Sequence, residues 1–150
     1  MTSVTVTRTF DAPRELVFDA WTDPKHLTEW WGPHGFTNPR CEFDARPGGV
    51  IRIDMRGPNG VVYPMTGTVT EIRRPERLAF TTQPIDENGN VLFETVVDVT
   101  FIERAGKTTV TVVSTVTRMV APQAAQMIAG MEQGWTQSLE RLEEHVRDIV

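Results

Sequence analysis

The hydrophobic positions change period twice along this chain. Val4, Val6 and Phe10 alternate with Thr5, Thr7 and Thr9, the period of a half-buried strand rich in β-formers. Arg8 shares the apolar parity, where a guanidinium can snorkel outward at a strand end. From Ala12-Pro13 the spacing turns helical. Leu16, Val17, Ala20 and Trp21 form one side, and Asp23-Pro24 restarts the helix with a capping carboxylate followed by a proline suited to a first turn. Leu27, Trp30 and Trp31 are the apolar side of this second short helix, which Gly32-Pro33 must end.

Between Phe36 and Thr117 the period is two again, interrupted by turn signals. Strands are predicted over 36–44, 50–56, 61–72 and 77–83, then two more on either side of Ala105-Gly106-Lys107. Gly57-Pro58-Asn59-Gly60 and Asp86-Glu87-Asn88-Gly89 supply tight turns, since Asn-Gly tolerates positive φ. Val91, Phe93, Val97, Val99 and Phe101 alternate with polar residues, as do Val110, Val112, Ser114 and Val116. Strands in hairpin succession build an antiparallel sheet with one buried face.

From Pro122 to Val150 the period returns to helix. Ile128, Met131, Trp135, Leu139, Leu142, Val146 and Ile149 lie three or four residues apart, on one stripe. One helix of about 40 Å is expected at 1.5 Å per residue. Its second half carries ordinary core residues. Its first half carries Met127, Gly130, Met131 and Gly134, a soft wall that something else can lie against. The fold class is therefore α+β: one antiparallel sheet of about seven strands, two short helices after the first strand, and a long terminal helix over the sheet. Where sheet and helix diverge, a cavity forms.

Bulk properties narrow the picture. A chain of 150 residues with 39% hydrophobic and 23% charged content suits a single globular domain spanning 1–150. No apolar run reaches the roughly 18 residues needed to span a bilayer. The start lacks the pattern of a signal peptide and Cys41 is the single cysteine, so a reducing cytoplasm is the expected location. A net charge of -5 argues against nucleic-acid or anionic-membrane partners.

Several segments together resemble a known family. Ala12-Pro13, Val17-Phe18-Asp19-Ala20-Trp21-Thr22-Asp23-Pro24, Leu27 and Trp30-Trp31-Gly32-Pro33 are similar to the opening of the domain named for the activator of the heat-shock-protein-ninety ATPase. Arg46-Pro47-Gly48-Gly49, Pro75-Glu76-Arg77-Leu78 and Gly134-Trp135 with Leu139 and Leu142 continue the likeness over essentially the whole chain. The resemblance implies the START-like, or birch-pollen-allergen-like, helix-grip fold, with a curved sheet wrapped around the terminal helix. It also implies a hydrophobic or amphipathic small molecule held between the two. Some relatives are cyclases or hydrolases. The eukaryotic co-chaperone has a further N-terminal domain that this chain lacks, so its chaperone role transfers poorly.

Candidate chemistry is sparse. No phosphate-binding loop is present, and His26, His34 and His145 have no spacing that suits a metal, so no metal or cofactor is expected. His145 falls on the polar side of the last helix and reads as solvated. His34 follows Pro33 near the expected cavity mouth, either as an ordinary loop residue or as a base. Cys41 shares parity with Phe43 and behaves as a small buried hydrophobe. Glu71 follows Tyr63, Met65, Gly67 and Val69 on the inward parity. Arg8 and Glu71 either pair with each other, face a wet cavity together with Ser114, or stand in water at twisted strand ends.

The leading expectation is a cofactor-free protein that binds a lipid- or polyketide-like molecule. Trp30, Trp31, Phe36, Phe43, Ile53 and Met55 would line its cavity with Tyr63, Met65, Phe80, Phe93, Met127, Met131 and Trp135. An enzyme using Tyr63, Glu71 or His34 as acid or base is the first alternative. A protein-interaction role like that of the chaperone activator is the second. A homodimer through exposed strand or helix surface is left open.

Overall fold

A computed structural model describes residues 2–150. The elements follow in the order β1 (Ser3–Phe10), α1 (Arg14–Thr22), α2 (Pro24–Trp30), β2 (Thr37–Phe43), β3 (Val50–Arg56) and β4 (Val62–Arg73). They continue with β5 (Arg77–Pro84), β6 (Phe93–Arg104), β7 (Lys107–Met119), α3 (Ala124–Ala129) and α4 (Met131–Ile149). Every pairing is antiparallel, and the strands lie side by side as β1-β7-β6-β5-β4-β3-β2. The six strands after α2 form a meander, and β1 closes it on the far side of β7. The antiparallel sheet expected from the alternation is present, curved as the resemblance implies and open at its edges, with the short helices after the first strand.

Local chemistry accounts for the helix starts. The Asp23 side chain accepts a hydrogen bond from the Lys25 backbone N–H at 2.9 Å, and Pro24 occupies the first turn of α2. The Trp30 indole N–H donates to the Ala20 carbonyl at 2.9 Å, which ties α2 to the end of α1. Phe10, Val17, Trp21, Leu27 and Trp30 are fully buried beside Val99, Phe101, Val110, Leu139 and Leu142, so both short helices and α4 share one core with the sheet.

Two features depart from the pattern. The terminal helix is not continuous: Gly130, at φ -91° and ψ 0°, ends α3 and begins α4. Its N–H is shared between the carbonyls of Gln126 and Met127, both at 3.2 Å. Glycine is the poorest helix former after proline, and an amphipathic stripe does not register such a break. In β4, Val69 faces Phe80 while Glu71 faces Ala79, so Thr70 is an extra residue in a β-bulge. The bulge reverses the inside and outside faces for the rest of the strand. Ile72 packs against the core, and Glu71 points outward to Arg73 at 2.9 Å and Arg77 at 3.3 Å.

A smaller apolar cluster lies apart from the main core. Leu92, Phe93 and Ala124 are buried with Ala121, Met127, Ile128 and Met131 packed against them. This second cluster seats α3 on the end of the β5–β6 hairpin. The seam between the two clusters is where the interior opens.

Candidate functional site

A cavity of about 210 Å³ occupies that seam. The sheet supplies its floor. Met65 and Phe93 lie on one side, Thr82 and Thr95 face each other across β5 and β6, and Val97 pairs with Ser114 across β6 and β7. Met127 from α3, with Gly130, Met131, Gly134, Trp135 and Ser138, forms the helical wall. Trp31, Gly32 and Pro33 form a third wall, and Met55, Tyr63, Pro64 and Pro84 complete the rim. Both apolar clusters contribute, so the void exists because neither fills the space between them. By the standard of an apolar cavity of roughly 150 Å³ that admits benzene, it has room for a fused ring or a short branched chain.

The wall after α2 is held from behind. Arg141, on α4, donates from Nη1 to the carbonyls of Trp31, Gly32 and Pro33 at 2.9, 3.0 and 3.1 Å, and from Nη2 to the Glu29 carbonyl at 3.1 Å. One guanidinium thus satisfies the orphan carbonyls at the end of a helix, where cations are favoured. Burial lowers its pKa, partly offset by Glu144 and Glu29. The Asn38 amide adds a second bond to the Trp31 carbonyl at 2.9 Å. Gly32 has φ +98°, so the turn favours glycine, and a Cβ there would also press on the flexible Met55 side chain, 2.9 Å from its sulfur. The Trp135 ring stacks on Trp21, with centroids 5.8 Å apart, and meets Trp31 edge-on at 5.4 Å. Within the tryptophan cluster Trp21 and Trp30 are buried in the core, while Trp31 and Trp135 line the cavity.

The structure brings together most of the lining residues expected from the sequence. Trp31, Met55, Tyr63, Met65, Phe93, Met127, Met131 and Trp135 bound the cavity. Trp30, Ile53, Phe80 and Phe43 do not; they are buried in the core behind it, with Phe43 edge-on to Phe80. Phe36 lies outside against Tyr63, ring centroids 6.0 Å apart. Inward parity identifies a face of the sheet but not which residues on that face lie beside the helix and which beside a void. Thr82, Thr95 and Ser138 were missed, although the first two share parity with Phe80 and Phe93.

Of the expected polar cavity groups only Ser114 is in place. Arg8 does face inward, but it meets α4 beyond the cavity, where Nη2 donates to Glu143 Oε1 at 2.8 Å. It is far from pairing with Glu71, which the bulge turns outward. His34 is exposed and contacts Glu140 at 3.1 Å outside the cavity. His145 is not simply solvated, since its Nε2 lies 3.0 Å from Nδ1 of His26 between α4 and α2. Cys41 is half-buried at the edge of the core, and burial together with Glu42 pushes its thiol up to about 11, a poor nucleophile at neutral pH. Tyr63, Glu71 and His34 thus stand in three separate places. Among the described residues no three potential metal ligands gather, and no helix is long and apolar enough to cross a membrane.

A curved antiparallel sheet closed by a C-terminal helix, with an apolar cavity between them, is the helix-grip architecture of the START-like superfamily. The comparisons carry this to the level of family. The model for "Activator of Hsp90 ATPase homolog 1-like protein" matches residues 11–147, and the chain belongs to that family. Solved structures agree over nearly the whole length. The AHSA1 protein of Silicibacter pomeroyi is 25% identical, with a TM-score of 0.84 over 99% of this chain and 100% of that one. A protein from Arthrobacter aurescens is 28% identical, with a TM-score of 0.82 over 97% and 86%. One from Mycobacterium smegmatis is 26% identical, with a TM-score of 0.78 over 99% and 90%. Among curated proteins none matches the sequence.

Proposed function

We propose that this protein binds a hydrophobic or amphipathic small molecule, of lipid-like or polyketide-like character, in the cavity between the sheet and α3–α4. The observation that carries the reading is the seam itself: a mostly apolar void between sheet, helix and the wall after α2 that Arg141 holds, reached through a rim of methionine, proline and tyrosine. Ligand sites of this kind combine an apolar lining with a few fixed polar groups. Methionine at a rim suits ligands of variable shape, because its side chain is unbranched and polarizable.

The alternative of acid–base catalysis finds less support. Tyr63 is the only ionisable side chain that lines the cavity among the described residues, and neither Glu71 nor His34 is within reach of it. General acid–base work needs its partners within hydrogen-bond distance of one reacting group.

Native mass spectrometry of gently purified protein, followed by thermal-shift screening with lipids and aromatic polyketides, tests the proposal. A co-purifying small molecule, or a compound that raises the melting temperature of the wild type but not of Gly134→Leu, is the expected result. Gly134 lines the cavity and a Cβ there would meet nothing within 4 Å, so leucine can grow into the void. Equal responses from both proteins would remove the cavity as the site.

A further inference from the structure

The most buried part of the cavity lining sets four hydroxyls among apolar side chains, Val97, Phe93 and Met65, and carries no charge. Ser114 is 2% exposed, Thr95 3%, Ser138 5% and Thr82 9%, while Tyr63, Met55, Met127 and Met131 nearer the rim are only partly buried. The Thr82 and Thr95 hydroxyls bond each other at 2.5 Å, which uses one proton and leaves the other free to donate. The hydroxyls of Ser114 and Ser138 also line the void, where a group held in the cavity can reach them. Val97 pairs with Ser114, two residues beyond Thr95 on the same face of β6, so the strand hydroxyls form one patch on the sheet with Ser138 above it on α4.

Resting on the binding function proposed above, we infer that the ligand is uncharged and enters head-first. A hydroxyl or carbonyl group meets the Thr82–Thr95–Ser114–Ser138 floor, and the apolar body lies outward against Met127 and Met131. Four hydroxyls can both donate to and accept from such a group. They cannot compensate an ionised one: no cationic or anionic side chain lines the cavity among the described residues, and burying an unpaired carboxylate is far more costly than burying a hydroxyl.

Calorimetry at pH 7 with 2-naphthol, naphthalene and 2-naphthoate tests this, since the three share a body and differ in the head. Naphthol is expected to bind about fivefold or more tightly than naphthalene, the worth of one net hydrogen bond, and at least about a hundredfold more tightly than the ionised naphthoate. The naphthol-to-naphthalene affinity ratio should fall toward one in Ser114→Ala and in Thr82→Val, two volume-conserving changes that each serve as a check on the other. In crystals soaked with 6-bromo-2-naphthol the anomalous peak of bromine should lie beside Met127 and Met131. Naphthoate binding as well as naphthol, a wild-type ratio near one, or bromine beside Ser114 would each overturn the inference. A ratio near one with naphthalene bound in the cavity leaves the binding site standing and removes only the ligand class. No binding of any probe to wild type would remove both.

Discussion

Leu142 and Met131 sit on one helical stripe but meet different surroundings. Leu142 is fully buried in the main core, whereas Met131 is half-buried at the cavity rim and packs on the smaller cluster. Leu142→Ala should therefore cost about 2–5 kcal/mol in urea unfolding, because well-packed neighbours cannot collapse into the space left. Met131→Ala should cost clearly less, and should change the affinity for cavity ligands more. Equal losses of stability would mean that both residues belong to one solid core. Gly134 gives the converse case. Alanine there would meet no atom within 4 Å, and the helix would gain roughly 1 kcal/mol of propensity. The midpoint of denaturation should rise, while the added methyl narrows the cavity.

At the scale of elements, α4 is joined to α2 by Arg141 and by the His26–His145 contact. His145 is held below its ordinary 6.5 by burial and by repulsion from His26, against smaller attractions from Glu29 and Asp148. The unfolded chain therefore takes up this proton more readily than the folded one. The stability associated with His145 is complete above about 6.5 and is lost as the pH falls below that value. The urea midpoint should drop between pH 7.5 and pH 5, and His145→Gln should drop less. An identical pH dependence in the two proteins would assign the loss to other groups. Helix and strand identities were legible because each period persists through a whole element. The bulge at Thr70 was not, since one extra residue reverses a face without altering composition, and it moved Glu71 from a candidate catalytic group to an outer ion pair. Nor was the break at Gly130, because the apolar stripe continues across it.

For the molecule as a whole, a ligand that binds only the folded state stabilises it by mass action. At a hundredfold excess over its Kd a cavity ligand adds about 2.7 kcal/mol. For a chain of this size that corresponds to a rise in melting temperature of about 5–10 °C, readable by differential scanning calorimetry. The same ligand should leave Gly134→Leu within a degree or so of its unliganded value; a shift as large as that of wild type would locate binding elsewhere.

Period, turn residues and the tryptophan-rich opening were enough to specify an α+β meander closed by a terminal helix, because backbone geometry turns local periodicity directly into elements. They also identified eight of the residues that bound the cavity, since strand parity selects the inner face of the sheet for four of them and the helical stripe and the tryptophan-rich opening select the other four. Tertiary structure alone decided where that face is left unfilled. The void depends on how far apart two clusters settle and on Arg141 reaching from α4 to hold the wall after α2. It decided as well that the cavity floor carries hydroxyls. Inward parity already placed Ser114 on that face, but only packing shows that Thr82, Thr95 and Ser138 join it at the void, because parity fixes a face and not what lies across from it.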